Sequence, residues 1–247
     1  MKRFITLLLV MSLAAIVSAK DVKIGVFLHF PNVYQETGST ELKGADIRYL
    51  NDVFKEMGYT PVYVVLPISR LLATLQSGEV DIAGILLKTP EREAIANFPD
   101  TPTVILQPSL FFLTENKLNK INSIDDLKGM TIGYIPTSPI PKFLDAPDKV
   151  KFDLLGADNW VEMNLKKLLA GRVDAVLDQN PYSFVAEAKK TGIQSKLKVL
   201  PLPVEGTKGY MLFSKKSALG SELLAAYNKI LAGKKYNFDK YMNDEVK

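Results

Sequence analysis

The chain of 247 residues contains no cysteine. Disulfides are therefore excluded, and so are thiolate metal sites and lipid attachment through a cysteine. Histidine is almost as scarce: His29 is the only one, and one imidazole cannot build a histidine-based metal centre. No G-x-S-x-G, H-E-x-x-H, phosphate-binding loop or dinucleotide fingerprint occurs, so no cofactor and no metal is expected. A charge excess is missing too. Lys and Arg number 31 against 27 Asp and Glu, a formal net charge of +4. That balance is too mild for a nucleic-acid partner, and the lysines are dispersed.

Long uncharged runs are absent with one exception. Lys2 and Arg3 are followed by an uncharged stretch from Phe4 to Ala19 that closes on Val17-Ser18-Ala19. A positive start, an apolar middle and small residues at the end predict a signal peptide over 1–19, cleaved near Ala19. The run is short for a membrane anchor and no second one follows. A periplasmic protein starting at Lys20 is expected, with its net charge two lower. Without staples or a lipid anchor, it must be held by its own core.

What the sequence does have is a phrase used twice. Leu75-Gln76-Ser77-Gly78-Glu79-Val80-Asp81-Ile82 returns as Leu168-Leu169-Ala170-Gly171-Arg172-Val173-Asp174-Ala175. A Leu-rich helical run stops at a glycine, where positive φ carries no penalty, and Val-Asp opens a short apolar strand. Around the first copy, periodicity predicts strand Asp21–Phe27, helix Ala45–Met57, strand Pro61–Leu66 and helix Ser69–Gln76. Around the second it predicts a capped helix from Ser123, strands 130–134 and 150–154, helix Trp160–Leu169, helix Tyr182–Lys190 and strand 198–200. Such alternation predicts an α/β protein of two similar doubly wound lobes, each on a parallel sheet. Stretches 104–113 and 203–213 are expected to cross between lobes as a two-strand hinge. Lobe one is then 20–107 plus 207–247, with a helix over 221–231, and lobe two is 108–206. Ligands of parallel α/β sheets sit outside the C-terminal strand ends, which places a site in the crevice between the lobes.

The candidate groups lie in the loops after the strands. After the first repeat comes Thr89-Pro90-Glu91-Arg92, with Thr89 as helix cap and Pro90 at the first helical position. Free backbone donors there and Arg92 suit a carboxylate or phosphate; alternatively Arg92 pairs with Glu91, Glu93 or Asp100 at the surface. After the second repeat comes Asp178-Gln179-Asn180, whose polar groups either hold a cation or hydroxyl in the crevice or only cap the next helix. Thr137 and Ser138 follow another strand, and His29 and Phe30 hold the equivalent place in lobe one.

Taken together, Leu71 to Asp81, Thr89-Pro90-Glu91-Arg92 with Phe98 beyond, Ile124-Asp125-Asp126-Leu127-Lys128-Gly129 and Leu169 to Ala175 resemble family 3 of the periplasmic solute-binding proteins. This is the amino-acid type, with a type II periplasmic-binding fold. The resemblance spans essentially the whole chain after residue 19. It implies a monomeric, bilobed protein that closes on a small molecule and delivers it to an inner-membrane ABC permease. Position by position, it assigns Arg92 to the ligand carboxylate and Phe30 to packing on the ligand, with His29 or Phe27 nearby; the ligand is then expected to lie between Phe30, His29 and Ile68. Ile85 and Leu87 stand where the family has hydroxyl residues. Ser138 matches a hydroxyl position, while Pro139 replaces another. The family's ammonium-binding carboxylate falls at Gln179, with Asp178 turned the other way. A standard α-amino acid is therefore not the expected ligand; a small polar, carboxylate-bearing organic solute is. Two other classes share the fold: a sensor that reports ligand occupancy to a membrane partner, and a cyclohexadienyl-dehydratase-like enzyme drawing on His29, Glu36, Asp178 or Arg92.

Overall fold

The computed structural model describes residues 19–136, 138–157 and 159–247. The first eighteen residues of the expected signal peptide and Thr137 lie outside the described residues.

The chain opens with β1 (Lys20–Val26), α1 (Ala45–Met57), β2 (Tyr59–Val65), α2 (Ile68–Ser77) and β3 (Ile82–Leu87). A short helix α3 (Pro90–Ile95), β4 (Ala96–Asn97) and β5 (Val104–Leu106) lead to β6 (Ser109–Leu113), the first strand of a second sheet. That sheet continues with β7 (Thr131–Tyr134), β8 (Lys151–Leu154), α4 (Trp160–Leu169), β9 (Ala175–Asp178), α5 (Tyr182–Lys190) and β10 (Leu197–Pro201). The chain returns to the first sheet through β11 (Thr207–Ser214) and ends with α6 (Gly220–Ala232) and α7 (Phe238–Glu245). The segment from Ser123 is a four-residue 3-10 turn in which Ser123 and Asp126 form a capping box.

The strand orders are β2-β1-β3-β11-β4, with β5 also on β11, and β10-β6-β9-β7-β8. In each sheet three strands run parallel: β1 with β2 and β3, and β7 with β8 and β9. The sheets are not wholly parallel, contrary to expectation. Beside β3 runs β11, and beside β9 runs β6, both antiparallel. Each of these strands has just crossed from the other lobe. It enters where the parallel strands end, so it can only run back against them. The two crossings lie side by side, Val104–Leu106 pairing with Thr207–Gly209, which is the two-strand hinge.

Each sheet is covered on both faces. Ile24, Leu50, Phe54 and Phe213 form one core of the first sheet, and Leu71, Leu75, Ala83 and Leu212 the other. Ile132, Leu110 and Leu177 lie on one face of the second sheet, and Phe111, Val176 and Phe184 on the opposite one.

The repeated phrase has a physical reason in both places. Gly78 and Gly171 take positive φ, 84° and 65°, and let the chain turn from helix to strand. Asp81 then receives the Lys23 N–H on Oδ2 at 2.8 Å while its own N–H donates to the Lys23 carbonyl at 2.9 Å. Asp174 does the same with Thr131, at 2.7 and 2.8 Å. The aspartate thus satisfies a backbone donor that the parallel ladder leaves open at its start.

Candidate functional site

Arg92 is placed by its own local sequence. Thr89 caps α3, its Oγ1 accepting the Arg92 N–H at 3.4 Å, and Pro90 fills the first helical position. The side chain folds back so that Nη1 donates to the Leu87 carbonyl at the end of β3, 2.6 Å away. Arg92 is only 7% exposed. Among the described residues it has no ion-pair partner within 4.0 Å, so the alternative of a surface pair with Glu91, Glu93 or Asp100 does not hold. Burial depresses its pKa, and Glu91 opposes this from a distance; a guanidinium so placed is a buried charge that lacks a counterion.

It faces a cavity of about 130 Å³ between the ends of the two sheets. Of the residues expected there, His29, Ile68, Leu87, Arg92, Ser138, Asp178 and Gln179 line it, and so does Ile85. Thr89 does not line it, and acts on the site through the helix that carries Arg92. Phe30 does not line it either. Its ring packs edge-on against Tyr34 at 5.1 Å, with the Lys190 ammonium 5.7 Å from its centre. Phe27 does line it.

The pair Asp178 and Gln179 also differs from expectation. Gln179 is engaged by the protein: Nε2 donates to the Pro139 carbonyl at 2.9 Å and the Tyr134 hydroxyl at 3.2 Å, and Oε1 accepts from Thr207. Asp178, the last residue of β9, is 4% exposed. Its Oδ1 accepts the Asn180 N–H at 2.9 Å, while Oδ2 has no partner among the described residues. Burial raises its pKa well above the carboxylate range, opposed by the Asn180 and Gln179 backbone donors. The unmet carboxylate oxygen therefore belongs to Asp178. Asn180 accepts the Tyr182 N–H at the start of α5 at 3.2 Å, and also reaches the other lobe, donating to Asn32 Oδ1 at 3.1 Å.

Several lining residues gave no signal in the sequence. Trp160, at the start of α4, lies parallel to His29 across the lobes, with ring centres 6.0 Å apart. His29 in turn stacks on Phe27 at 5.8 Å and meets Ser183 Oγ through Nε2 at 2.9 Å. Burial lowers its pKa to about 4, so it is neutral at pH 7. Asn32 donates to Asp46, a buried carboxylate raised by that burial to about 6. Among the described residues no cluster of three or more His, Cys, Asp and Glu side chains could hold a metal.

A model of the family described as bacterial extracellular solute-binding proteins, family 3, matches residues 22–241. The chain belongs to this family. A Bacillus subtilis (strain 168) member described as a probable amino-acid-binding protein, YxeM, is 30% identical over 177 residues; the match covers 71% of this chain and 65% of that protein. Among solved structures, an ancestral arginine-binding protein bound to arginine superposes with a TM-score of 0.71 at 23% identity, covering 92% of this chain and 98% of that one. The substrate-binding protein of an amino acid ABC transporter gives 0.67 at 22% identity, covering 91% and 98%. These neighbours share the type II periplasmic-binding fold.

Proposed function

We propose that this family 3 protein is a periplasmic receptor that closes on a small carboxylate-bearing solute and offers the closed form to an inner-membrane ABC permease. The moving units are 20–107 with 207–247, and 108–206, and the protein works as a monomer. The observation that carries the reading is Arg92: a buried guanidinium, held by one backbone carbonyl, facing an inter-lobe cavity without a counterion. A ligand carboxylate supplies that counterion. Asp178 supplies the second pole from the other lobe, its free oxygen suited to an ammonium or hydroxyl of the solute. Gln179 had argued against α-amino acids; Asp178 readmits them, in keeping with the amino-acid-binding relatives. A solute touching both lobes stabilises the closed state through contacts the open state lacks.

The test is Arg92→Ala. Affinity for the solute carried through purification, identified by mass spectrometry, should fall by about 100-fold, with the melting temperature of the ligand-free protein nearly unchanged. Equal losses in both would make Arg92 a structural residue. Asp178, a buried carboxyl whose pKa burial raises, is also the observation that an enzymatic reading would use. We read the site as binding only, and expect no consumption of prephenate or arogenate on incubation. A sensor would use the same closure, and a neighbouring permease gene separates the two.

A further inference from the structure

The cavity wall uses most of its polar capacity on itself. Gln179 and Tyr134 bond each other and Pro139. Asn180 bonds Asn32, Asn32 bonds Asp46, and His29 bonds Ser183. Among the described residues, the groups with capacity to spare beyond these are Arg92 on one lobe, and Asp178 Oδ2 and the Ser138 hydroxyl on the other. Asp46 also reaches the wall, with one oxygen taken by Asn32.

The remaining wall is apolar. Ile68, Ile85, Leu87, Leu106 and Ile135 surround the space. Along one side the rings of Phe27, His29 and Trp160 stand in a row from the first lobe to the second, at 5.8 and 6.0 Å and within 27° and 6° of parallel. Such a row makes an aromatic side to the cavity, and its middle member is uncharged at pH 7. A second cation or anion on the solute would meet these side chains without a partner.

We infer that the solute has an uncharged, apolar and preferably aromatic body beyond its carboxylate, and that Trp160 is a specificity-determining residue that packs on it. This rests on the solute-binding reading and narrows it. The wall leaves little provision for a cationic tail, because once Asp178 is used, Asp46 is the one lining carboxyl left among the described residues.

The probes are L-phenylalanine, L-leucine and 3-phenylpropanoate against L-arginine and L-glutamate, titrated calorimetrically into the mature chain. At least one of the first three should bind more tightly than both charged amino acids. Trp160→Ala should weaken the phenyl compounds by about 10-fold, and Trp160→Phe should restore most of that loss. Circular dichroism shows whether Trp160→Ala is folded; if it is not, the comparison rests on Trp160→Phe and the ligand ranking. L-arginine or L-glutamate as the tightest ligand overturns the inference, and arginine binding lost in Asp46→Asn would assign the tail to Asp46. Failure of all of the first three to bind overturns it as well. If a charged ligand wins and needs Arg92, the receptor reading stands while the apolar body falls. If phenylalanine binds but is indifferent to Arg92→Ala, the reverse holds.

Discussion

The two lobes use one frame and fill it differently. Counted from Gly78 and Gly171, the aspartates Asp81 and Asp174 occupy the same step and make the same pair of bonds to the neighbouring strand. Seven residues before each glycine the copies part: Leu71 lies over Gly25, but Asn164 lies over Gly133. Seven residues after, Ile85 faces the cavity in one lobe and Asp178 in the other. The positions that hold the backbone together are kept, and those that face packing or ligand are free to differ. The outcome is a chemical asymmetry on a near-symmetric scaffold: a guanidinium, Arg92, just beyond the first strand of the pair, and a carboxyl with an unmet oxygen, Asp178, at the end of the second.

The largest effects expected inside this comparison are pH-dependent, and the first lobe holds two of opposite sign. His29 is lowered from 6.5 to about 4, so its burial favours folding above pH 6.5 and that advantage is lost as pH falls towards 4. Asp46 is raised from 3.8 to about 6, so its contribution is present at low pH and lost as pH rises through 6. Each can amount to about 3 kcal/mol, with opposite slopes over nearly the same window. Urea unfolding of His29→Gln should show stability that falls more steeply between pH 4 and 6 as pH rises, and Asp46→Asn the opposite trend. Unchanged profiles in both would remove the pair of opposed titrations from the first lobe.

Next come the shared aspartates. Asp81→Ala and Asp174→Ala each leave a strand N–H without its acceptor and should cost about 1–3 kcal/mol. Asp81 should cost more, because it also accepts from the Ser217 hydroxyl. A larger loss at Asp174, read from denaturant midpoints, would break the equivalence of the two copies.

The smallest effect sharpens the contrast at the helix–sheet contact. Both polar atoms of the Asn164 side chain are buried without a partner among the described residues. Asn164→Leu copies the first lobe's solution and should stabilise by about 1–2 kcal/mol, seen as a higher melting temperature. A lower one would mean that the amide is satisfied or that leucine overpacks against Gly133.

Much of this arrangement was legible in the sequence where the controlling chemistry is local. Helices 45–57, 160–169 and 182–190 occur where periodicity and glycine stops put them. Thr89 and Arg92 were readable because cap, proline and arginine lie within four residues of one another. What escaped depends on distant partners. Which of Asp178 and Gln179 keeps a free group is decided by Tyr134, Pro139 and Thr207, brought beside Gln179 by β7, its following loop and β11. Phe27 and Phe30 are equivalent as aromatic residues, and only the fold shows that Phe27 lines the cavity while Phe30 packs on Tyr34. Trp160 meets His29 only when the lobes come together. Helix α7 carried a local cue, Asn237 capping onto Asp239, but its apolar face takes meaning only from packing on α1.

The exchange of strands across the hinge has a consequence for the order in which the molecule is built. Every strand of the second sheet, β6 to β10, is contiguous in the chain, so that sheet can close as soon as residue 201 has been synthesised. The first sheet cannot. Its β11, wedged between β3 and β4, is the last strand to leave the ribosome, and until it arrives β3 has an unpaired edge. The lobe that begins the sequence is the lobe that finishes last.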